Sequence, residues 1–303
     1  MDHRENRQAM VMVGSREFRL VDSRAWDVDR RIEDMDSEGT VLQAVSPMPE
    51  LLSYWFEPQD ALTLGRHINE AIAEMVRKRP DRFRGLGMVP LQDPNLATRE
   101  LSNIKALGLS GVEIGSNILG KSPGDPSFDG FYAEAERLGL CVFVHALHPT
   151  NTDRLVGPKR LSAMICFPTD VGMAAASMIT SNTLGKTPKL RLAFSHGGGT
   201  FASFLPRLQD GWGKLASIKA EFANPIETAR KMYFDNVVFD QTLLRYLIDT
   251  FGGTQICVGS DYPFKGGQKN SPSMIEEMRL PKETRDDIMH NNAARFLGMA
   301  ELS

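Results

Sequence analysis

From residue 40 onward, short apolar runs alternate with longer stretches whose apolar positions recur at i, i+3 and i+4. This is the pattern of βα units feeding a parallel sheet, whose strands are covered on both faces and therefore read as near-continuous apolar runs. Seven runs qualify: TVLQAVSPMP from Thr40, FRGLGMVPL from Phe83, GVEIGS from Gly111, CVFVHALH from Cys141, LRLAFSHGG from Leu190, MYFDNVVF from Met232 and ICVGSDYP from Ile256. Helical stretches lie between them, among them those from Asp60, Asn95 and Phe131, and PKETRDDIMHNNAARFLGM closes the chain. The first forty residues read differently. AMVMVGSREFRLV predicts a small β-hairpin turning at Val13-Gly14-Ser15-Arg16, and a short helix is expected from Asp27 to Gly39. A closed (β/α)8 barrel needs eight strands. The expected fold is therefore an α/β, TIM-type (β/α)8 barrel lacking its first strand, with the N-terminal hairpin as an insertion. One domain is expected over 1–303, the insertion filling 1–39 and the βα units 40–303, because no linker, repeat or low-complexity tract divides the chain.

Composition narrows the partners. The 303 residues are 42% hydrophobic, and 35 basic against 38 acidic side chains leave a net charge of −3. No basic stripe appears, which argues against nucleic acid. Cys141, Cys166 and Cys257 are far apart, so a disulfide framework is not expected and a reducing compartment fits. The charged N-terminus MDHRENRQAM has no apolar stretch of signal length, and no apolar run long enough for a membrane span is read elsewhere. A cytoplasmic protein without membrane attachment is the expectation.

Ionisable residues inside apolar strands are the most informative positions, because burying such a group costs several kcal/mol unless it is paired or metal-bound. His145, His196 and Asp261 fit that description, each at the C-terminal end of a strand, where parallel α/β folds collect their chemistry. Two imidazoles and a carboxylate suit a mononuclear zinc site; the alternative is three buried polar groups hydrogen-bonded to backbone. Period-2 alternation puts His148 on the face opposite His145. His3, His67 and His290 lie in a polar terminus and on helices, and are set aside. Arg19 and Arg207 each offer a two-donor fork for a carboxylate, or else form surface ion pairs. Met48, Tyr54, Trp55 and Phe264 are placed to line a cleft, although such residues are more often core. The SHGGG segment is a weak phosphate signal, because no Lys-Ser/Thr follows it.

Taken together, the segments WDVDRRIEDMDSEGTVLQAVSPMPELLSYW, RFRGLGMVPLQDP, VFVH, SHGGGTF followed by PRLQDGW, GSDYPF and NNAARFLG resemble the amidohydrolase superfamily. The likeness is to its branch of metal-dependent aromatic-acid decarboxylases, typified by 2-amino-3-carboxymuconate 6-semialdehyde decarboxylase, and runs from about Val11 to Gly298. The resemblance implies that His145 and Asp261 are metal ligands and that His196 is the acid/base. It implies that Arg19 holds a substrate carboxylate, that Phe264 lines the substrate site, and that Arg207 reaches the neighbouring subunit's pocket in a homodimer. The implied chemistry is nonoxidative: a zinc-activated water, oriented by His196 and Asp261, promotes loss of CO2 from an unsaturated or aromatic acid. No redox or organic cofactor is implied.

Two departures shape the expectations. Family members open with a strand carrying a His-x-His pair of metal ligands, and none precedes Arg19 here. After His145 the family has Pro-Trp-Asp, where this chain reads Ala-Leu-His148-Pro, so the substrate pocket differs. Three readings follow: a zinc decarboxylase whose missing strand lies upstream of Met1, a metal-dependent hydrolase or hydratase of the same superfamily, and a metal-poor binding or scaffold subunit. With only His145 and Asp261 as ligands, weak or absent metal binding is expected. The open sheet edges predict poor solubility or a dimer shielding the gap, with the Ala9–Leu20 hairpin the visible cover.

Overall fold

The computed structural model describes residues 2–4, 7–13, 15–264 and 271–299. Seven parallel strands form one sheet: β4 (Gln43–Val45), β5 (Phe83–Gly87), β6 (Gly111–Gly115), β7 (Cys141–His145), β8 (Leu192–Phe194), β9 (Tyr233–Asp235) and β10 (Ile256–Cys257). They follow one another in space as in sequence, and no ladder joins β4 to β10 among the described residues. The barrel with seven strands is thus the one the apolar runs predict. Its strands are short, because only the core of each run is laddered: the first begins at Gln43 rather than Thr40, the fifth at Leu192 rather than Leu190.

The N-terminal segment departs from expectation. β2 (Gln8–Val13) and β3 (Arg16–Asp22) pair antiparallel as foreseen, but a further strand, β1 (Asp2–Arg4), adds to β2 and makes a three-stranded sheet. The predicted turn includes residue 14, which lies outside the described residues. This small sheet is separate from the barrel sheet, so it does not supply the eighth strand.

Helix α1 (Val28–Glu38) follows, started by Asp27, whose carboxylate accepts from the Asp29 and Arg30 amides, and stopped by Gly39 in a left-handed conformation. It lies across the interrupted seam. On the β4 side Arg31 Nη1 donates to Gln43 Oε1 at 2.7 Å, and Arg82, just before β5, donates to Asp36 at 2.7 Å. On the β10 side the Tyr262 hydroxyl donates to Asp34 Oδ2 at 2.8 Å.

The stretches predicted from Asp60, Asn95 and Phe131 form α2 (Pro58–Lys78), α3 (Pro94–Ala106) and α4 (Asp129–Leu138); α5 (Ser162–Thr180), the short α6 (Thr183–Lys186) and α7 (Phe201–Lys214) follow them. Lys159–Thr180, with a mean hydropathy of 1.3, is long and apolar enough to cross a membrane by length and composition. Its place in the fold is that of a crossover helix, packed on α7 and β7 with Val171, Ala175 and Met178 in the core. All three cysteines are free. The barrel floor is closed by Leu86, Cys141, Ala193, Phe296 and Leu297.

Candidate metal centre

Strand alternation aims His145. Cys141 and Phe143 face the barrel interior, while Val142 and Val144 join the core under the helices. His145 shares the face of Cys141 and Phe143 and so looks into the barrel mouth. Its Nδ1 lies 2.9 Å from the Ala146 carbonyl, which takes the Nδ1 proton and leaves Nε2 for the site. Burial pushes the imidazole down to about 4, and neighbouring His196 adds to the effect, so the ring is neutral, as a ligand must be.

His196 and Asp261 both sit at positive φ, 55° and 57°, on the turns that leave β8 and β10. The His196 turn depends on glycine: Gly199 has φ 58°, and a Cβ there would overlap the Pro168 carbonyl oxygen. Asp235, at the end of β9, holds this turn by accepting from the Gly197 amide at 3.0 Å. Burial pushes His196 down, but Asp261 and Asp235 outweigh it and hold the imidazole above its usual range. Burial likewise pushes Asp261 up, and His196 with His145 outweighs it, keeping the carboxyl below its usual range.

The three side chains converge without touching. Nε2 of His145 is 4.0 Å from Asp261 Oδ1, and Nε2 of His196 is 3.9 Å from Asp261 Oδ2. One donor atom from each lies within 4.8 Å of the others. These gaps are too long for hydrogen bonds, and close to the spacing of roughly 3.4 Å between donors that share one ion at about 2.1 Å. The residues fit a divalent metal ion. The cluster is the set of three that burial in apolar strands singled out, of which the resemblance assigned His145 and Asp261 as ligands and His196 as the acid/base.

Arg19 stands beside the Asp261 turn. Its guanidinium is 4.9 Å from the Phe264 ring centroid and donates to Glu50 at 2.9 Å. Phe264 is fixed by its amide, which donates to the Asp261 carbonyl at 2.9 Å. Arg207 is not brought here. It is exposed on α7 and makes no hydrogen bond or ion pair among the described residues. His148 is not in the cluster; it lies three residues beyond the end of β7 at φ 41°, where strand alternation no longer applies, and stacks flat on Trp55 with ring centroids 4.5 Å apart. The two line a cavity of about 170 Å³ with Tyr54, Asn117 and Leu147. Tyr54 is core, its hydroxyl accepting from the Gly115 amide. His67 and His290 lie on helix surfaces, and the side chain of His3 is outside the description.

Two acids escaped sequence reasoning although both are ionisable residues in apolar strands. One is Asp235; the other is Glu113, whose register partner Phe143 places it inside the barrel. Glu113 is 1% exposed and its Oε1 has no partner. Burial pushes its carboxyl up to about 8, with Asp261 and Glu50 adding to the rise. The lone acid in GVEIG was the available signal.

A parallel barrel whose strand ends bring two imidazoles and a carboxylate together defines a metal-dependent barrel enzyme. The chain belongs to the amidohydrolase family, whose sequence profile matches residues 17–299. It is 34% identical to 2-amino-3-carboxymuconate-6-semialdehyde decarboxylase of Dictyostelium discoideum, over 99% of this chain and 84% of the relative. The solved 5-carboxyvanillate decarboxylase from Sphingomonas paucimobilis superposes with a TM-score of 0.81 at 26% identity, covering 89% of this chain and 83% of that one. A dihydroxybenzoic acid decarboxylase from Polaromonas, solved with bound manganese, shares the fold: TM-score 0.77, 22% identity, 89% and 85% covered.

Proposed function

We propose that this protein is a metal-dependent, nonoxidative decarboxylase acting on an aromatic or unsaturated carboxylic acid. The observation that carries the reading is the convergence of His145, His196 and Asp261, with Arg19 and Phe264 on the same rim.

The opposed environments of the two imidazoles divide their roles. His145, kept neutral by burial, and Asp261, kept ionised, would hold the metal. A bound divalent ion supplies Lewis-acid stabilisation of the negative charge that develops on the substrate. His196, which the two aspartates hold above its usual range, presents Nε2 to the site and is placed to move a proton there. When the bond to the departing CO2 breaks, its electron pair stays on the substrate carbon, and that carbon takes up a proton, which His196 is placed to deliver. Arg19 offers its fork to a carboxylate or phenolate of the substrate, and Phe264 packs against the ring.

We take zinc as the metal, although imidazole with carboxylate also suits manganese; elemental analysis of purified protein decides. We take the segment after His145, where the chain departs from the decarboxylase pattern, to set the choice of substrate. A homodimer is proposed as well. Unpartnered Arg207 lies on α7, which packs against α5, and α5 exposes Met164 at 71%, Ile165 at 52% and Met173 at 57%; mass measurement in solution tests it. Three free cysteines fit a reducing compartment such as the cytoplasm.

The test is CO2 release from a panel of hydroxylated and amino-substituted aromatic acids by metal-loaded protein. One CO2 per acid consumed is expected, with Asp261→Ala losing metal and activity together, each by more than about a hundredfold. Metal-loaded protein that releases no CO2 but cleaves esters or amides would move the reading to a hydrolase.

A further inference from the structure

Asp261 stands four residues beyond the end of β10, on the side of the sheet where no ladder continues. Among the described residues its carbonyl accepts within its own turn, from the Phe264 amide. The adjoining residue, Tyr262, reaches out of that turn. Its hydroxyl donates to Asp34 Oδ2 at 2.8 Å, across 228 positions of sequence. Its ring is covered by the guanidinium of Arg31, 4.9 Å from the centroid, with Arg24 at 5.9 Å. Arg31 is 6% exposed and donates to Gln43 on β4, while Asp34 is held a second time by Arg30 at 3.3 Å. One side chain beside a metal-site carboxylate is thus fastened to a helix that is itself fastened to the far edge of the sheet.

We propose that Tyr262 is a positioning residue: its clasp to Asp34 does for Asp261 what ladder hydrogen bonds do for His145, fixing the turn that aims the carboxylate at His145 and His196. The inference rests on the metal-site reading. A half-buried bond whose two ends lie on separate elements resists relative motion of both, and outer partners that orient a ligand change metal affinity by about 10–100-fold when removed.

The test uses the full chain and cobalt(II), followed by its visible absorption, with thermal unfolding measured alongside. Tyr262→Phe and Asp34→Ala are expected to weaken cobalt binding by about 10–100-fold. Asp34→Asn keeps an oxygen acceptor and should stay within about threefold of wild type, since an amide oxygen still takes the phenol proton. The double variant Tyr262→Phe/Asp34→Ala should bind no more weakly than either single, because both remove one bond. If Tyr262→Phe does not fold, Asp34→Ala cuts the same bond from the other side. Cobalt affinity and spectrum unchanged in the variants, with only the melting temperature lowered, would overturn the positioning role; so would effects that simply multiply in the double variant. Wild type that binds no cobalt would overturn the metal reading itself and this inference with it, and it is told apart because it fails before any variant is compared.

Discussion

The two sides of the metal cluster are built by different means. On the His145 side the sheet is continuous. Backbone bonds carry β6, β7 and β8 up to the site, the Ser116 amide donating to the His145 carbonyl at 2.7 Å and the Ser195 amide to Val144 at 3.0 Å. On the Asp261 side the sheet stops, and long side chains take over: Tyr262 to Asp34, Arg31 to Gln43, Arg19 to Glu50. A ladder fixes position through groups every residue possesses, so its amino acids are free to vary on one face. A side-chain clasp fixes position through particular functional groups, each of which one substitution removes.

That contrast can be broken most sharply on the continuous side. Gly199→Ala should destabilise the fold by about 3–5 kcal/mol, since the new Cβ meets the Pro168 carbonyl and the backbone is left-handed. Chemical denaturation measures the loss, and a mild effect would show that the His196 turn has slack. Next comes Glu113, a buried acid inside the same side. Its folded pKa of about 8 lies above the ordinary 4.5, so the folded chain holds a proton that the unfolded chain releases. Stability should therefore fall by roughly 1.4 kcal/mol per pH unit between about pH 5 and 8 from this group, and level off above. Glu113→Gln should flatten that slope in denaturation at pH 5, 6.5 and 8. The smallest effect is expected at the seam. Arg19→Lys should raise KM about tenfold, roughly 1.4 kcal/mol, and leave the melting temperature nearly unchanged, because a half-exposed ammonium keeps charge but not the fork.

Legibility in the sequence divides along the same line. All seven barrel strands were readable, because strands buried on both faces leave continuous apolar runs. His145, His196 and Asp261 stood out because ionisable side chains interrupt such runs. Glu113 and Asp235 obey the same criterion and were passed over, one set between glycines, the other at the end of a strand and followed by Asn236. β1 is three residues of polar sequence and leaves no periodicity to find. Arg19 and Phe264 were offered by chemistry only as one reading beside a surface ion pair and a core ring, and family resemblance gave them their roles, since a half-exposed arginine and a lone phenylalanine carry no pattern of their own. The Tyr262–Asp34 clasp was invisible, because nothing local relates residues at opposite ends of a chain.

That distance has a bearing on how the molecule assembles. Contacts between neighbouring βα units join residues a few tens of positions apart, whereas α1 meets the Asp261 turn only after nearly the whole chain has been gathered. Closing so long a loop costs more entropy than zipping one strand onto the next, and topologies rich in distant contacts form slowly. The continuous arc from β5 to β9 is therefore set to condense first, with the N-terminal helix docking across the seam last. On the proposed metal reading, capture of an ion by the cluster would report the final step of folding, and the capacity to bind metal would measure how much of the population has completed it.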